Sequence, residues 1–128
     1  MTKTNFMDKY PVYTVELSKN ELAVTTVDEI IESLKSEIEA HPIAAYIAIF
    51  DHYSHTKKID GDMVEGLEDV KNIVFCFGAA IPATKMVAVR PRSIGVCDMG
   101  DKIVFEFLDA PKEELNSVME KWIKNLKK

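Results

Sequence analysis

Two stretches of this chain repeat their apolar residues at intervals of three and four, and almost everything between them lacks that period. Val27, Ile30, Ile31, Leu34 and Ile38 fall on one helical face, and Leu115, Val118, Met119, Trp122, Ile123 and Leu126 fall on another. Each helix therefore has one side to bury and one to wet. The first has a start signal, the capping-box spacing Thr26-Val27-Asp28-Glu29, and a stop signal, Pro42, which disfavours helical geometry at the residue before it. The second opens at Asp109-Ala110-Pro111, with Glu113 and Glu114 in its first turn and Lys124, Lys127 and Lys128 in its last, the distribution that opposes the helix dipole.

What lies around and between them reads as strands. Pro11–Leu17 alternates as a half-buried strand does, and Pro11, which has no N–H to donate, suits its beginning. Ile43–Phe50 is an unbroken apolar run of strand length, which predicts a strand in the middle of the sheet covered on both faces. Asn72–Phe77 is a third strand, ended by Gly78. Ser93–Cys97 and Ile103–Leu108 form a hairpin through Asp98-Met99-Gly100-Asp101, with glycine where the turn needs a positive φ. Met1–Lys9 is polar and expected to be flexible. Asp51–Gly66 reads as a long loop or a short irregular helix, and Ala79–Arg90 as either a short helix or a strand. Two one-faced helices without strict strand-helix alternation predict an α+β fold. The expected form is a two-layer, mostly antiparallel sheet with both helices on one face, in the order β-α-β-β-β-β-α.

At 128 residues, 47% of them hydrophobic and 29% charged, the chain has the size and composition of a single domain, residues 1–128, with a core that needs neither disulfide nor metal. Its longest apolar run, Pro42–Phe50, is far short of the roughly 20 residues of a membrane helix. The N-terminus lacks the basic start, apolar stretch and small-residue cleavage site of a secretory signal, so the expected location is cytoplasmic. A net charge of -5 argues against nucleic-acid binding, which needs a phosphate-neutralising surface.

Several segments resemble a known family. IDGDMVEGLEDVKNIVFCFG is similar to the segment of the domain of unknown function family 302 in which Gly-Leu leads into a strand ending in Phe-Gly. GVCDMGDKIVFEFLDAP resembles that family's closing hairpin, and VDEIIESLKSEIEAHPIAAYIAIFDH its first helix and the strand ending in Asp-His, here Asp51 and His52. The resemblance implies a TBP-like α+β fold and no established reaction. In this chain Gly78 is followed by Ala79-Ala80-Ile81-Pro82 where the family has Asn-Pro.

The functional signal read from the residues themselves is a charge anomaly. Every charged side chain from Val70 to Cys97 is basic: Lys71, Lys85, Arg90 and Arg92. Arg90 and Arg92 flank Pro91, which stiffens the chain between two planar forks suited to carboxylate or phosphate. Lys85, Arg90 and Arg92 are therefore the expected anchors of a small anionic or amphipathic ligand, held without catalysis between the sheet and the last helix. The bland reading is that these cations only neutralise surface carboxylates. A homodimeric interaction module, pairing through an edge strand or an apolar helix face, is the second expectation.

An enzyme ranks third. Asp51, His52 and His55 place two imidazoles and a carboxylate within one helical turn, a weak metal-ligand set with no second spaced pair. Solvated histidines are the commoner outcome. His41 suits the C-terminus of the first helix. Cys76 and Cys97 lie inside strands, where a thiol is more often a small buried hydrophobe than a nucleophile, which needs a base and an electropositive setting. No cofactor is expected.

Overall fold

Thr26 starts the first helix as its spacing predicts. In the computed structural model, which describes residues 1–128, the Thr26 hydroxyl accepts the Glu29 N–H at 3.2 Å and donates to the Glu29 carboxylate at 2.7 Å. Helix α1 runs Val27–Ala40, ends at the C-cap His41 and buries all five residues of its apolar face. The strands β1 (Thr2–Phe6), β2 (Tyr10–Ser18), β3 (Ala44–Phe50), β4 (Asp69–Phe77), β5 (Arg92–Asp98) and β6 (Lys102–Leu108) form one six-stranded sheet in the order β1-β2-β6-β5-β4-β3. Every neighbouring pair is antiparallel. The chain therefore leaves β2 near one edge, crosses the sheet through α1 and returns at the opposite edge as β3. The predicted hairpin is β5–β6, and Gly100 in its turn has φ 95°.

Alternation along the strands sends Tyr13, Val15 and Leu17, Ile73, Phe75 and Phe77, Ile94 and Val96, and Ile103, Phe105 and Phe107 to one side of the sheet. That side is covered by α1 and by α4 (Glu113–Lys124), whose Met119, Trp122 and Ile123 join the same core. Trp122 stacks on Phe77 with ring centres 5.4 Å apart, and it meets Phe75 and His41 edge to face at 5.7 and 5.9 Å. Both long helices thus share a face, as expected, but two short helices bring the total to four, and one of them lies on the other face, so the sheet is not covered on one side alone. The last residues are tied down as well: Lys128 N–H donates to Glu21 O and Ala23 N–H to Leu126 O. No helix is long and apolar enough to cross a membrane.

Two details depart from the sequence reading, and two alternatives it left open are resolved. Residues 2–6, expected to be flexible, pair with Tyr10–Thr14 as the edge strand β1; an edge strand needs no apolar alternation and so leaves no periodic trace. The apolar run expected in mid-sheet is β3, the other edge, with a bulge between Tyr46 and Ala48 and most of its residues exposed. Of the loop and short helix left open for Asp51–Gly66, the helix is present over part of it as α2 (His52–Lys58), started by Asp51, whose carboxylate accepts the Ser54 N–H at 3.0 Å. Tyr53 and Thr56 of α2 look across a groove at Asn72, Gly95 and Cys97, which places this helix on the face opposite α1 and α4. The undecided Ala79–Arg90 stretch contains a single turn, α3 (Lys85–Ala88).

One buried amide fixes how α4 joins the sheet. Asn116 is 0% exposed; its Oδ1 accepts the Ala110 N–H at 2.8 Å and its Nδ2 donates to Asp109 Oδ1 at 2.6 Å. The connection from β6 to α4 is therefore closed by a side chain of the helix itself. Asn116→Ala strands the buried Ala110 N–H, and the expected loss is about 2 to 3 kcal/mol. Urea unfolding checks this; a loss well under about 1 kcal/mol would mean that water reaches that amide freely.

Candidate functional site

The connection closed by Asn116 also forms one wall of a cleft. Helix α4 begins with Lys112 at its N-cap, and Lys112 supplies no side-chain acceptor for the first turn's N–H groups, the task that Ser, Thr, Asp or Asn performs in most helices. Opposite that turn runs the 78–92 segment, which leaves β4 at Gly78 and re-enters the sheet at Arg92. Between them is a cavity of about 310 Å³, at the small end of ligand pockets (about 300–1,000 Å³). Its apolar walls include Phe77, Met86, Val89 and Leu115, and its charged groups are Arg90, Arg92, Lys112 and Glu114.

The two arginines are held differently. Arg90 donates through Nη1 to the Ala80 carbonyl at 2.9 Å, and its guanidinium lies against Gly78. Gly78 has φ 105°, a conformation that favours glycine, and a Cβ there would come within 2.5 Å of Arg90 Nη2 and push that guanidinium aside. Arg92 is half-buried and donates through Nη2 to the Leu108 carbonyl. Its Nε is fully buried without any partner. Burial pulls the Arg92 pKa below the ordinary guanidinium value, and the Asp109 carboxylate opposes that shift. The ion pairs of the chain involve neither arginine. The Asp109 charge still acts on Arg92 from beyond ion-pair distance, so part of the bland reading of these cations holds for it.

Lys85 has no part in this arrangement. It is exposed at the start of α3 and is absent from the cleft wall, although Met86 of the same turn lines it. Lys112, Leu115 and Gly78, which the sequence reading missed, do contribute. The available signal was a lysine where a helix beginning Pro111-Lys112-Glu113 would ordinarily carry a capping side chain.

The other candidates separate. The Asp51 carboxylate is occupied by Ser54 N and Oγ, and these bonds hold its pKa below the usual range. His52 Nδ1 pairs with Asn72 Oδ1 at 3.1 Å, and the rings of His52 and His55 both lie beside Phe50. No three His, Cys, Asp or Glu side chains gather at metal-binding distance. Cys76 and Cys97 are half-buried on the face opposite α1 and α4, and burial, then the Glu106 charge, raises the Cys97 thiol pKa, the reverse of nucleophile activation. Cys97 and His52 both border the groove under α2, a space of about 590 Å³ that also takes in Thr14, Glu16, Lys102 and Glu106.

An all-antiparallel six-stranded sheet with two helices on one face, and a cationic cleft at the start of the last helix, defines an α+β domain with a small pocket at one end of its sheet. The chain belongs to a family of unknown function, DUF6858, which it matches over residues 1–128. No protein of curated function matches it. The family match overturns the resemblance to domain of unknown function family 302, and the TBP-like topology implied by it loses its support. The shared pieces were turn glycines after apolar strands and an acidic hairpin turn, which antiparallel sheets of many families produce for the same local reasons.

Asp109 joins the cleft's frame to the edge strand. The Asn116 bond is the largest influence on the Asp109 carboxyl; burial, the next, opposes it, and the bond and charge of Lys3, whose Nζ lies 3.1 Å from Oδ2, with the charge of Arg92 keep it below the usual carboxylate range. A carboxyl whose folded pKa is depressed stabilises the fold fully above its unfolded value, about 3.9, and that contribution disappears as pH falls through the folded value. Thermal unfolding from neutral pH down to strong acid is expected to show this loss in the wild type. Asp109→Asn should be less stable at neutrality and lose less on acidification; parallel acid profiles for the two proteins would refute the assignment.

Proposed function

We propose that this protein binds a small amphipathic anion, a monocarboxylate with an apolar body, in the cleft between the 78–92 segment and the first turn of α4. The observation that carries the reading is Arg92: a half-buried guanidinium whose Nε has neither water access nor a partner. Removing a charged donor from water without pairing it is costly, and an anion arriving in the cleft relieves that cost. Arg90, Lys112 and the positive end of the α4 dipole add attraction of the same sign. Glu114 on the cleft wall favours a singly over a multiply charged ligand. Phe77, Met86, Val89 and Leu115 accommodate its apolar part.

The reading includes no reaction and no cofactor. The raised Cys97 pKa works against a thiolate; His52 borders the groove on the opposite face, and His55 lies against Phe50. A cytoplasmic setting is part of the same reading.

Thermal unfolding with straight-chain carboxylates from butyrate to decanoate tests it, with the matching alkylamines as controls. At about a hundredfold excess over Kd a bound ligand contributes about 2.7 kcal/mol, which for a domain of this size raises Tm by roughly 10 °C. The carboxylates are expected to stabilise the wild type, the amines not, and Arg92→Gln is expected to remove most of the effect. Absence of a shift with every chain length, or an undiminished shift in Arg92→Gln, overturns the proposal.

A further inference from the structure

The face of the sheet opposite α1 and α4 is divided. On β2 and β6 its outward positions are Thr14, Glu16, Lys102 and Glu106, the polar set of a solvated surface. On β3 and β4 they are Ala45, Ala48, Phe50, Asn72, Val74 and Cys76, apolar apart from Asn72, joined by Ile47 of the bulge. Ile47 and Cys76 also share an apolar hollow with Ile81, Val87 and Pro91, at whose rim Arg90 lies. The two edges differ in the same way. Thr2, Lys3, Thr4 and Asn5 give β1 the polar, lysine-bearing character that protects a free edge, whereas β3 carries no charged residue from Ala44 to Phe50.

An apolar sheet edge with unpaired backbone groups is satisfied in full only by another strand. Ile43, Ile47, Ile49, Phe50, Ile81 and Val87 are 37 to 68% exposed. With roughly 150 to 250 Å² on a fully exposed large side chain, they leave on the order of 500 Å² of apolar surface. A standard interface takes about 800 Å² from each partner, so the strand backbone and the flanking Ala45 and Ala48 bring the patch close to that size.

We infer that β3 is a dimerisation edge, pairing antiparallel with β3 of a second copy of this chain about a two-fold axis, so that the two six-stranded sheets continue into one another. The charges at the ends of β3 favour this occupant. At its beginning, Ile43 O accepts the Gly78 N–H at 2.9 Å, and Arg90 lies against Gly78. At its end stands Asp51, exposed and acidic. A two-fold antiparallel arrangement brings each copy's Asp51 end to the other's Arg90 end, so the interface is complementary to itself in charge as well as in apolar character. This surface meets the anion cleft at Gly78 and Arg90, which border both hollows, but the inference does not rest on that reading.

Sedimentation velocity over a concentration series, with hydrogen exchange on the same samples, tests it. The wild type is expected to be a closed dimer whose β3 amides are protected. Ile47→Lys and Phe50→Lys each place a cation on the paired edge and should weaken the dimer about a hundredfold or more, with the circular dichroism of the monomer unchanged. Phe6→Lys, on the opposite edge, should leave it intact. A wild type that stays monomeric at high concentration, one that forms open-ended aggregates, or a dimer with exchanging β3 amides each overturns the inference. So does a dimer that survives both edge lysines. Should either variant fail to fold, the wild-type exchange pattern decides by itself.

Discussion

One face of the sheet must be kept from water by two helices, and the contact that makes them act together is Trp122. It stacks on Phe77 at the end of β4, touches Phe75 and meets His41 at the end of α1, so a single side chain joins α4, β4 and the turn that leads into β3. With the body of α4 held there, its beginning can lie only near the ends of β4, β5 and β6. Asn116 completes the arrangement by closing the β6–α4 connection on Ala110 and Asp109. The cleft is therefore a consequence of core packing: it is the space left where a helix anchored by its middle starts beside strands that end at different heights.

That placement explains how an acidic chain comes to have a cationic pocket. The acids are spread over β2, the two long helices, the 51–69 stretch, and the hairpin with the turn after it, where some find lysine partners such as Lys3, Lys19, Lys71 and Lys102. The segment that borders the cleft contains none. Arg92 enters the sheet on the side facing the helices, an inward position for a charged residue, and part of its guanidinium loses water without gaining a partner. Side-chain alternation on β5 requires this: residues 94 and 96 are fully buried, so residue 92 points the same way.

The parts of the fold legible in the sequence were those with a local cause. Thr26 and Pro42 bounded α1, the three-and-four spacing from Leu115 to Leu126 gave α4, and Gly100 marked the hairpin. Arg90 and Arg92 stood out because their neighbourhood had no acids, and both line the cleft. What was not legible depends on contacts made far along the chain. An apolar run such as Ala44–Phe50 reads the same whether a neighbouring strand covers it or nothing does, so its edge position was hidden. The polar residues of β1 carry no period. Asp51 and Ser54 have cap spacing, but a helix of only seven residues barely repeats its pattern. Lys112 became informative only when the first turn of α4 was found facing two arginines.

The account stands most directly on the buried, unpartnered Nε of Arg92, and that group can be observed by itself. In a ¹⁵N-labelled sample the Nε–H resonance of Arg92, assigned with Arg92→Lys, can be followed while octanoate is added. The account predicts that this signal moves and exchanges more slowly with water as the ligand binds, together with the amides of Gly78, Glu113 and Leu115. An Nε–H signal that stays in place while octanoate perturbs another surface, or perturbs nothing, contradicts it.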